Sequence, residues 1–222
     1  MTVRVKPSGP TDFPRRRERA QATRRRMLDA ARSLFLERGY VATTIGAIAE
    51  RADVAPETVY STFGNKRTLL SELVDVSIAG GDGATPVLRQ DWVRDLRAEP
   101  DPRRRLRLLA AQGRAILERR AGIDEVVRGA AAADPEIAAL RDLGRAQRLA
   151  GQRELLAIAI GRAALADGLD LEAAADIVYV VGSPEAFQSL TVERAWSAER
   201  FERWYGDMLE RLLRDDIGPT TR

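Results

Sequence analysis

The chain has 222 residues, enough for a small domain and a medium-sized one, and its composition of 45% hydrophobic and 31% charged residues is typical of a globular protein. It contains no cysteine and no histidine, which excludes disulfides, thiol catalysis, histidine general bases and Cys/His zinc sites. No apolar run approaches the roughly 20 residues that span a bilayer, and the arginine-rich N-terminal region does not resemble a signal peptide. We therefore expect a cytoplasmic protein without a metal or cofactor.

Positive charge is concentrated near the N-terminus. Residues 1–70 contain 14 Lys/Arg against 7 Asp/Glu, whereas the remainder contains 22 against 26. A DNA-binding domain joined to a non-binding one would show this imbalance, because neutralised phosphates supply most non-specific affinity. A solvated basic tail would show it too.

The first predicted segments are a basic arm and a helix. Residues 1–19 hold three prolines and a run of three arginines, which predicts a disordered arm that either contacts DNA or only solubilises the protein. Apolar residues then recur at helical spacing over 20–38, and Gly39 follows where a helix commonly ends.

Three shorter helices are predicted next. Thr43 or Thr44 caps a second helix, which Asp53 interrupts. Pro56 stands at the first position of a third helix that ends at Gly64. Asn65 caps a fourth helix, which ends at Gly80-Gly81 and closes a domain over 20–80.

The rest of the chain is predicted to be a larger helical domain over 81–215, followed by a tail over 216–222. Residues 81–102 are rich in glycine and proline and form a connector, in which Trp92 packs against the core of this domain. Apolar periodicity and caps predict helices near 103–121, 123–133, 135–167, 171–182, 184–194 and 198–214. No strand pattern occurs, so the predicted fold class is all-α.

The second and third helices form the part of the sequence that carries a function. Two short helices with a tight turn, supported by a longer one, place the last helix in a DNA major groove. The outer face of that helix must then be small or polar. The third helix meets this condition once Val59 and Phe63 are committed to the core.

Residues 39–70 read GYVATTIGAIAERADVAPETVYSTFGNKRTLL and resemble the N-terminal pattern of the TetR family of transcriptional regulators. The resemblance covers four helices in the first third of the chain. It implies an N-terminal three-helix helix-turn-helix domain, a larger helical domain that binds an effector and dimerises, and double-stranded operator DNA as partner.

Position by position, the resemblance also implies roles in DNA binding. Thr44 contacts a phosphate, and Tyr60 and Lys66 hold the DNA backbone. Thr43, next to Thr44, and five residues of the recognition helix complete the predicted contacts, the latter facing base edges: Ala55, Pro56, Glu57, Thr58 and Ser61. Phosphate contacts position the protein, whereas base contacts specify the sequence.

Three residues of this segment are unusual for the resemblance. Asp53 replaces the usual turn glycine, which Asp tolerates because it adopts left-handed backbone geometry at modest cost. Thr62 replaces a histidine and keeps a hydroxyl for a phosphate. Glu57 either accepts a hydrogen bond from a cytosine amino group or favours the positive end of the helix dipole.

The end of the chain is predicted to dimerise. Residues 183–213 resemble the closing segment of TetR regulators, whose last two helices form a four-helix bundle between subunits. The predicted interface is an apolar stripe too wide to leave in water, comprising Phe187, Leu190, Phe201, Trp204, Tyr205, Met208 and Leu212. The alternative is that this stripe packs within its own chain.

An effector pocket is expected among the helices over 103–179. Candidate lining residues, chosen only for apolar type and position, are Trp92, Ile116, Val126, Val127, Ile158 and Tyr179; taken singly, each of them fits plain core better. The resemblance implies that an effector shifts the fourth helix over 66–78 and so changes the separation of two recognition helices. This requires unequal binding to the two states.

The sequence therefore predicts a ligand-responsive, sequence-specific transcriptional regulator, a repressor that a small molecule releases from a palindromic operator. One alternative is an architectural DNA-binding protein without an effector. An enzyme is not expected, because no nucleophile–base pair stands at recognisable spacing and no glycine-rich phosphate loop follows a strand.

Overall fold

The computed structural model describes residues 12–80 and 85–213. Residues 1–11 of the predicted arm and the predicted tail over 216–222 lie outside the described residues. Within the described ranges the chain is helical and forms no β-strand, apart from one isolated bridge between Leu165 and Leu213. The predicted all-α fold class is confirmed. The chain divides into two compact units, Met1–Leu73 and Val74–Arg222.

The N-terminal unit begins with a long helix, α1, over Asp12–Ala42. Gly39 has non-helical angles of φ 77° and ψ 172°, so the regular helix ends where the sequence predicted. The beginning differs, because residues 12–19 are helical and not a disordered arm. Pro14 lies in the first turn, where its missing N–H is not needed, and the arginine, glutamate, alanine and glutamine residues after it are good helix formers.

Three helices follow in this unit: α2 over Ile45–Ala52, α3 over Pro56–Phe63 and α4 over Lys66–Ala79. The predicted caps are confirmed, because the Thr44 hydroxyl accepts from the Ala47 N–H at 3.1 Å and Asn65 Oδ1 accepts from the Thr68 N–H at 2.9 Å. The boundary between the two units falls within α4, after Leu73. The helix bundle closes on a core of buried side chains from all four helices, including Leu34, Phe35, Ile48, Val59, Phe63 and Leu70.

The C-terminal unit contains the remainder of α4 and six further helices within the described residues. They are α5 over Asp91–Ala98, α6 over Pro102–Ala131, α7 over Pro135–Ile160, α8 over Leu171–Val181, α9 over Pro184–Gln188 and α10 over Ala198–Glu210. A 3-10 turn over Val87–Arg89 precedes α5, and a π-helical turn over Ser189–Glu193 follows α9. The side chains of Asp134, Asp170, Ser183 and Ser197 cap α7, α8, α9 and α10 by accepting backbone N–H groups.

Two predicted boundaries in this unit are wrong. Helix α6 continues through Gly122, because Ala121 and Ile123 on either side are buried, and their burial outweighs the cost of about 1 kcal/mol for an interior helical glycine. Helix α7 ends at Gly161, which adopts φ 60°, and not at Gly168. Gly161 and Gly168 both have positive φ, so each of them favours a helix end.

Most of the predicted dimerisation stripe lies in the core of the C-terminal unit. Phe187, Phe201, Tyr205 and Leu212 are between 0% and 7% exposed within their own chain, and Leu190 and Trp204 are partly buried against the same core. The Phe201 ring is packed edge-on against the Phe187 ring, with centroids 4.9 Å apart. Most of the stripe is therefore intramolecular core, because α10 packs along α6. Trp92 is also packed against this core, as predicted.

Across the two described ranges, none of the helices is both long enough and apolar enough to cross a membrane.

Candidate nucleic-acid interface and ligand cavity

Helices α2 and α3 are joined by a short turn that depends on Asp53. This residue adopts left-handed geometry with φ 54°, and its N–H donates to the Ala49 and Glu50 carbonyl oxygens at the end of α2. An aspartate there closes the turn that a glycine would close more easily. Pro56 then stands at the first position of α3, as predicted.

Helix α3 has one buried face and one exposed face. Val59 and Phe63 are 1% and 3% exposed and hold the helix in the N-terminal unit. The outer face consists of small and polar residues, which are exposed except for the half-buried Thr58: Ala55, Pro56, Glu57, Thr58, Tyr60, Ser61 and Thr62. This is the surface that a groove-binding helix requires.

The hydroxyl groups on this face are positioned by the helix itself. Ser61 and Thr62 both donate to the Thr58 carbonyl oxygen, at 3.1 and 2.7 Å. Their oxygens keep lone pairs that can accept hydrogen bonds. Tyr60 is 54% exposed and projects a phenol that can donate to a phosphate.

The two threonines before α2 differ in their surroundings. The Thr44 side chain is exposed and caps α2. The Thr43 side chain is fully buried, and its hydroxyl donates to the Gly39 and Leu34 carbonyl oxygens at 2.8 and 3.2 Å. The Thr43 hydroxyl is thus a packing group within the unit and is not exposed for a DNA contact.

Lys66, predicted to contact a phosphate, is engaged inside the N-terminal unit. Its ammonium donates to the Tyr40 and Thr43 carbonyl oxygens, both at 2.8 Å, and lies 4.2 Å from the centre of the Tyr40 ring. Lys66 therefore ties the start of α4 to the end of α1. Sequence reasoning missed this role because the carbonyl groups left by the kink at Gly39 are not visible in a residue pattern.

The first turns of helix α1 carry several exposed arginines. Arg15, Arg16, Arg17 and Arg19 are exposed, with Glu18 as the one acidic residue among them. Arg24 is bound instead, since it pairs with Glu72 and lies 5.3 Å from the centre of the Phe63 ring.

A cavity of about 650 Å³ lies within the C-terminal unit. Its wall is formed by the last residues of α4, by residues 85–88, by Trp92, and by α6, α7, α8, Pro184 and Tyr205. The volume falls in the range of small-molecule sites, roughly 300–1,000 Å³, and such sites are mostly apolar with a few polar groups. Most side chains of this wall are apolar.

The structure brings only some of the predicted effector residues to this cavity. Trp92 and Ile116 line it. Val127 lines a smaller neighbouring pocket of about 50 Å³ instead. Val126, Ile158 and Tyr179 line neither of these two pockets, and Ile158 is packed against the core.

Sequence reasoning missed the polar residues of the cavity wall, because the candidates were selected for apolar character. Helix α7 presents Gly144, Arg148, Gly151, Gln152 and Leu155 to the cavity. These residues recur at helical spacing, and two of them are glycines, which leave space beside the helix. A helix face that combines glycines with polar residues was the signal from which the sequence could have located the cavity.

Burial changes the protonation of several groups at the cavity. It raises the pKa of the Asp75 carboxyl, and the positive charge of Arg120 opposes this in part. It also raises the pKa of the Tyr205 hydroxyl, which therefore stays protonated as a donor. Gln152 Nε2 donates to the Gly182 carbonyl oxygen at 3.4 Å, while its buried Oε1 has no hydrogen-bond partner among the described residues.

Fold and site together define a helix-turn-helix protein whose second unit contains a cavity of small-molecule size. The profile of the bacterial regulatory proteins of the tetR family matches residues 27–73. The HTH-type transcriptional regulator YvkB of Bacillus subtilis, itself described as uncharacterized, is 44% identical over 52 residues, which are 23% of this chain and 28% of YvkB. The chain thus matches little more than a quarter of this relative's length.

Solved structures match over most of the chain. NalD, the secondary repressor of the MexAB-OprM multidrug efflux pump in Pseudomonas aeruginosa, has a TM-score of 0.67 at 22% identity, covering 88% of this chain and 99% of NalD. FadR from Bacillus subtilis in complex with stearoyl-CoA has a TM-score of 0.64 at 18% identity, covering 83% of this chain and 96% of FadR. These likenesses show the fold. The matching profile shows a tetR-type N-terminal segment over residues 27–73.

Proposed function

We propose that this chain is a ligand-responsive, sequence-specific DNA-binding transcriptional regulator, a repressor that a small molecule releases from a palindromic operator. The observation that carries this proposal is the outer face of α3, which is exposed and polar while Val59 and Phe63 anchor its inner face. The description of NalD as a repressor supports the direction of regulation.

In this proposal the exposed residues divide into two groups. Thr44 and Tyr60 contact the phosphate backbone and position the unit. Pro56, Glu57 and Ser61 face the base edges, where a carboxylate can accept from a cytosine amino group. Lys66 acts indirectly, by holding α4 against the end of α1.

The cavity gives the proposed regulator its ligand site. Asp75, Ile78 and Ala79, near the end of α4, form part of its wall. The first half of the same helix belongs to the N-terminal unit. A ligand that binds better to one arrangement of α4 than to another would therefore change DNA affinity, provided that its two affinities differ. FadR, a protein of the same fold, is described in complex with stearoyl-CoA.

A palindromic operator calls for a symmetric dimer with two recognition helices. Since most of the predicted stripe is buried, we assign the interface to the exposed side of α8, where Ile177 and Val180 are 38% and 64% exposed. Val180→Glu should convert the dimer to a monomer in sedimentation equilibrium, with Val192→Glu, another exposed valine, as control. A wild-type protein that sediments as a monomer would contradict the assignment.

Binding of purified protein to its own promoter region, measured by fluorescence anisotropy at several salt concentrations, tests the proposed function. We expect saturable binding to a palindromic site that unrelated DNA does not compete for. Tyr60→Phe should weaken binding about fivefold on every sequence, the value of one lost hydrogen bond, while Tyr179→Phe in the other unit should not.

Two outcomes would contradict the proposal. Equal affinity for any DNA would favour the architectural alternative, and an absence of DNA binding would remove the regulator altogether.

A further inference from the structure

The charged side chains of the cavity wall are unequally compensated. Among the described residues of the wall, three are charged: Asp75, Arg120 and Arg148. Arg120 Nε donates to both oxygens of Asp124, at 2.7 and 2.9 Å, and it also acts electrostatically on Asp75. The negative charges of Asp75 and Asp124 therefore mainly offset the positive charge of Arg120.

Arg148 differs from Arg120 in its partners. Its NH1 donates to the Tyr179 carbonyl oxygen at 2.9 Å, and its guanidinium lies 3.7 Å from the centre of the Tyr179 ring. Among the described residues, no carboxylate oxygen lies within 4.0 Å of its nitrogens. Asp124 senses Arg148 less than it senses Arg120. The side chain is thus held in place without its charge being neutralised.

Further charged side chains lie next to Arg148. The smaller pocket shares Arg120, Gly144, Arg148 and Pro184 with the cavity, and it is also lined by Asp124, Glu185 and three further arginines, Arg128, Arg141 and Arg145. Each of these three has a carboxylate partner, at 2.5, 2.8 and 3.8 Å. Of the five arginines that line the two pockets, Arg148 is therefore the one without a carboxylate partner in the part of the chain that the structure describes, and its guanidinium can bind an anion.

A guanidinium of this kind suits a carboxylate. Arginine presents several N–H donors in a rigid fork, and charge-assisted bonds to a carboxylate are about twice as strong as neutral ones. The hydrogen bond to the Tyr179 carbonyl oxygen and the contact with the Tyr179 ring hold the side chain in place in advance, so little conformational freedom is lost on binding. The remaining wall of the cavity offers apolar contacts to the body of a ligand.

We infer that the ligand of this cavity is an organic anion, with an apolar body inside the cavity and a carboxylate bound by Arg148. Only the regulatory effect of the anion rests on the proposed function, because binding of the anion is a property of the C-terminal unit alone. A neutral amphiphile would leave Arg148 uncompensated, and a cationic one would be repelled by it.

The test compares three probes with one apolar body: dodecanoate, dodecanol and dodecyltrimethylammonium, each titrated into the full-length protein by calorimetry below its aggregation threshold. We expect dodecanoate to bind about tenfold or more tightly than the other two probes. Arg148→Gln should abolish this preference while leaving dodecanol affinity unchanged, which also shows that the variant is folded.

Two further variants make the result decisive. Arg148→Lys keeps the charge and should retain part of the preference, and it decides the question if Arg148→Gln loses all binding. Arg153→Gln is the matched control, since Arg153 is on the same helix, pairs with Glu172 and does not line the cavity. Three results would each overturn the inference: no binding of dodecanoate, equal affinities for dodecanol and dodecanoate, or a preference for dodecanoate that survives Arg148→Gln.

A parallel titration with promoter DNA separates this inference from the proposed function. Specific DNA binding without dodecanoate binding refutes the anionic ligand alone. Arg148-dependent dodecanoate binding without DNA binding supports the ligand class and refutes the regulator.

Discussion

The Lys66 ammonium donates a hydrogen bond to the Tyr40 carbonyl oxygen, 2.8 Å away, and lies against the face of the Tyr40 ring. One side chain thus satisfies backbone acceptors at the end of α1 and fixes the first turn of α4. Lys66 is one of only two lysines in a chain that otherwise uses arginine. A compact ammonium reaches the Tyr40 and Thr43 carbonyl oxygens together, which a planar guanidinium would do less well.

Lys66→Met is accordingly expected to destabilise the protein. The variant leaves two carbonyl groups without their charged donor, and we expect the free energy of unfolding to fall by about 1–3 kcal/mol. Urea denaturation followed by circular dichroism measures this. Arg26→Met, at an exposed position of α1, should change stability by less than about 0.5 kcal/mol. Equal stability of the two variants would show that the Lys66 contacts contribute nothing.

Two glycines of the cavity wall form a matched pair for a second prediction. A Cβ atom at Gly113 would lie 2.9 Å from Tyr205 Cε1, whereas one at Gly151 would meet nothing within 4 Å. Both glycines are inside helices, so replacement by alanine gives both the same gain in helix propensity. Gly113→Ala should therefore be less stable than Gly151→Ala by about 1–3 kcal/mol, the cost of overpacking.

Thermal and chemical unfolding of the two alanine variants measure this difference. Gly151→Ala should also be more stable than the wild type by up to about 1 kcal/mol. If the two variants proved equally stable, the Tyr205 ring would have to be free to move away from α6.

The third prediction concerns the pKa of Asp124. Burial raises the pKa of this carboxyl, and the charge and hydrogen bonds of Arg120 lower it in part. The folded state therefore holds this proton to a higher pH than the unfolded chain does. The stabilisation from protonated Asp124 is complete below the unfolded pKa of about 3.9, and it is lost as the pH rises through the folded value.

Carbon-13 NMR of the side-chain carboxyl groups tests this directly. Asp124 should titrate above the ordinary aspartate range, and further above it in Arg120→Met. Asp142 is the internal control, because its hydrogen bond from Arg141 lowers its pKa; its contribution to stability is lost as the pH falls. An Asp124 that titrates with or below Asp142 would contradict the prediction.

A fourth prediction asks whether the arginines of α1 contact DNA. Replacing Arg15, Arg16 and Arg17 by glutamine should reduce the slope of log affinity against log salt by about 2–3, since each phosphate neutralised contributes about 0.9. Affinity should fall on every sequence alike, because backbone contacts carry no base information. Anisotropy titrations over a range of salt concentrations give the slope.

The control replaces three exposed arginines of the C-terminal unit, Arg97, Arg162 and Arg211, with glutamine. Both triple variants lose the same charge. If both change the slope equally, or neither does, the arginines of α1 are a solubilising segment.

Local chemistry made the helix-turn-helix predictable. Thr44 and Asn65 cap their helices as the sequence suggested, and Asp53 takes the left-handed geometry expected of it. Each of these features depends on residues no more than a few positions apart. The helix boundaries between Gly39 and Leu70 could therefore be predicted without knowledge of the rest of the chain, whereas the internal contacts of Thr43 and Lys66 could not.

Features that depend on distant contacts were not predictable in this way. The apolar stripe of α10 has the same periodicity whether α6 or a second chain covers it, and the structure shows that α6 covers Phe201 and Tyr205. Likewise, Gly122 and Gly161 look alike in the sequence, but only Gly161 adopts a positive φ. The polar wall residues Arg148 and Gln152 are 30 or more positions from the backbone carbonyls that they bind.

The space beside Gly151 has a consequence for how such a protein can change over generations. A Cβ atom at this position would meet no neighbouring heavy atom within 4 Å. Successive substitutions of Gly151, from alanine to larger residues, would therefore reduce the cavity volume in steps, at little cost to folding. A single codon thus offers a gradual route from one ligand length to another while the rest of the protein is conserved.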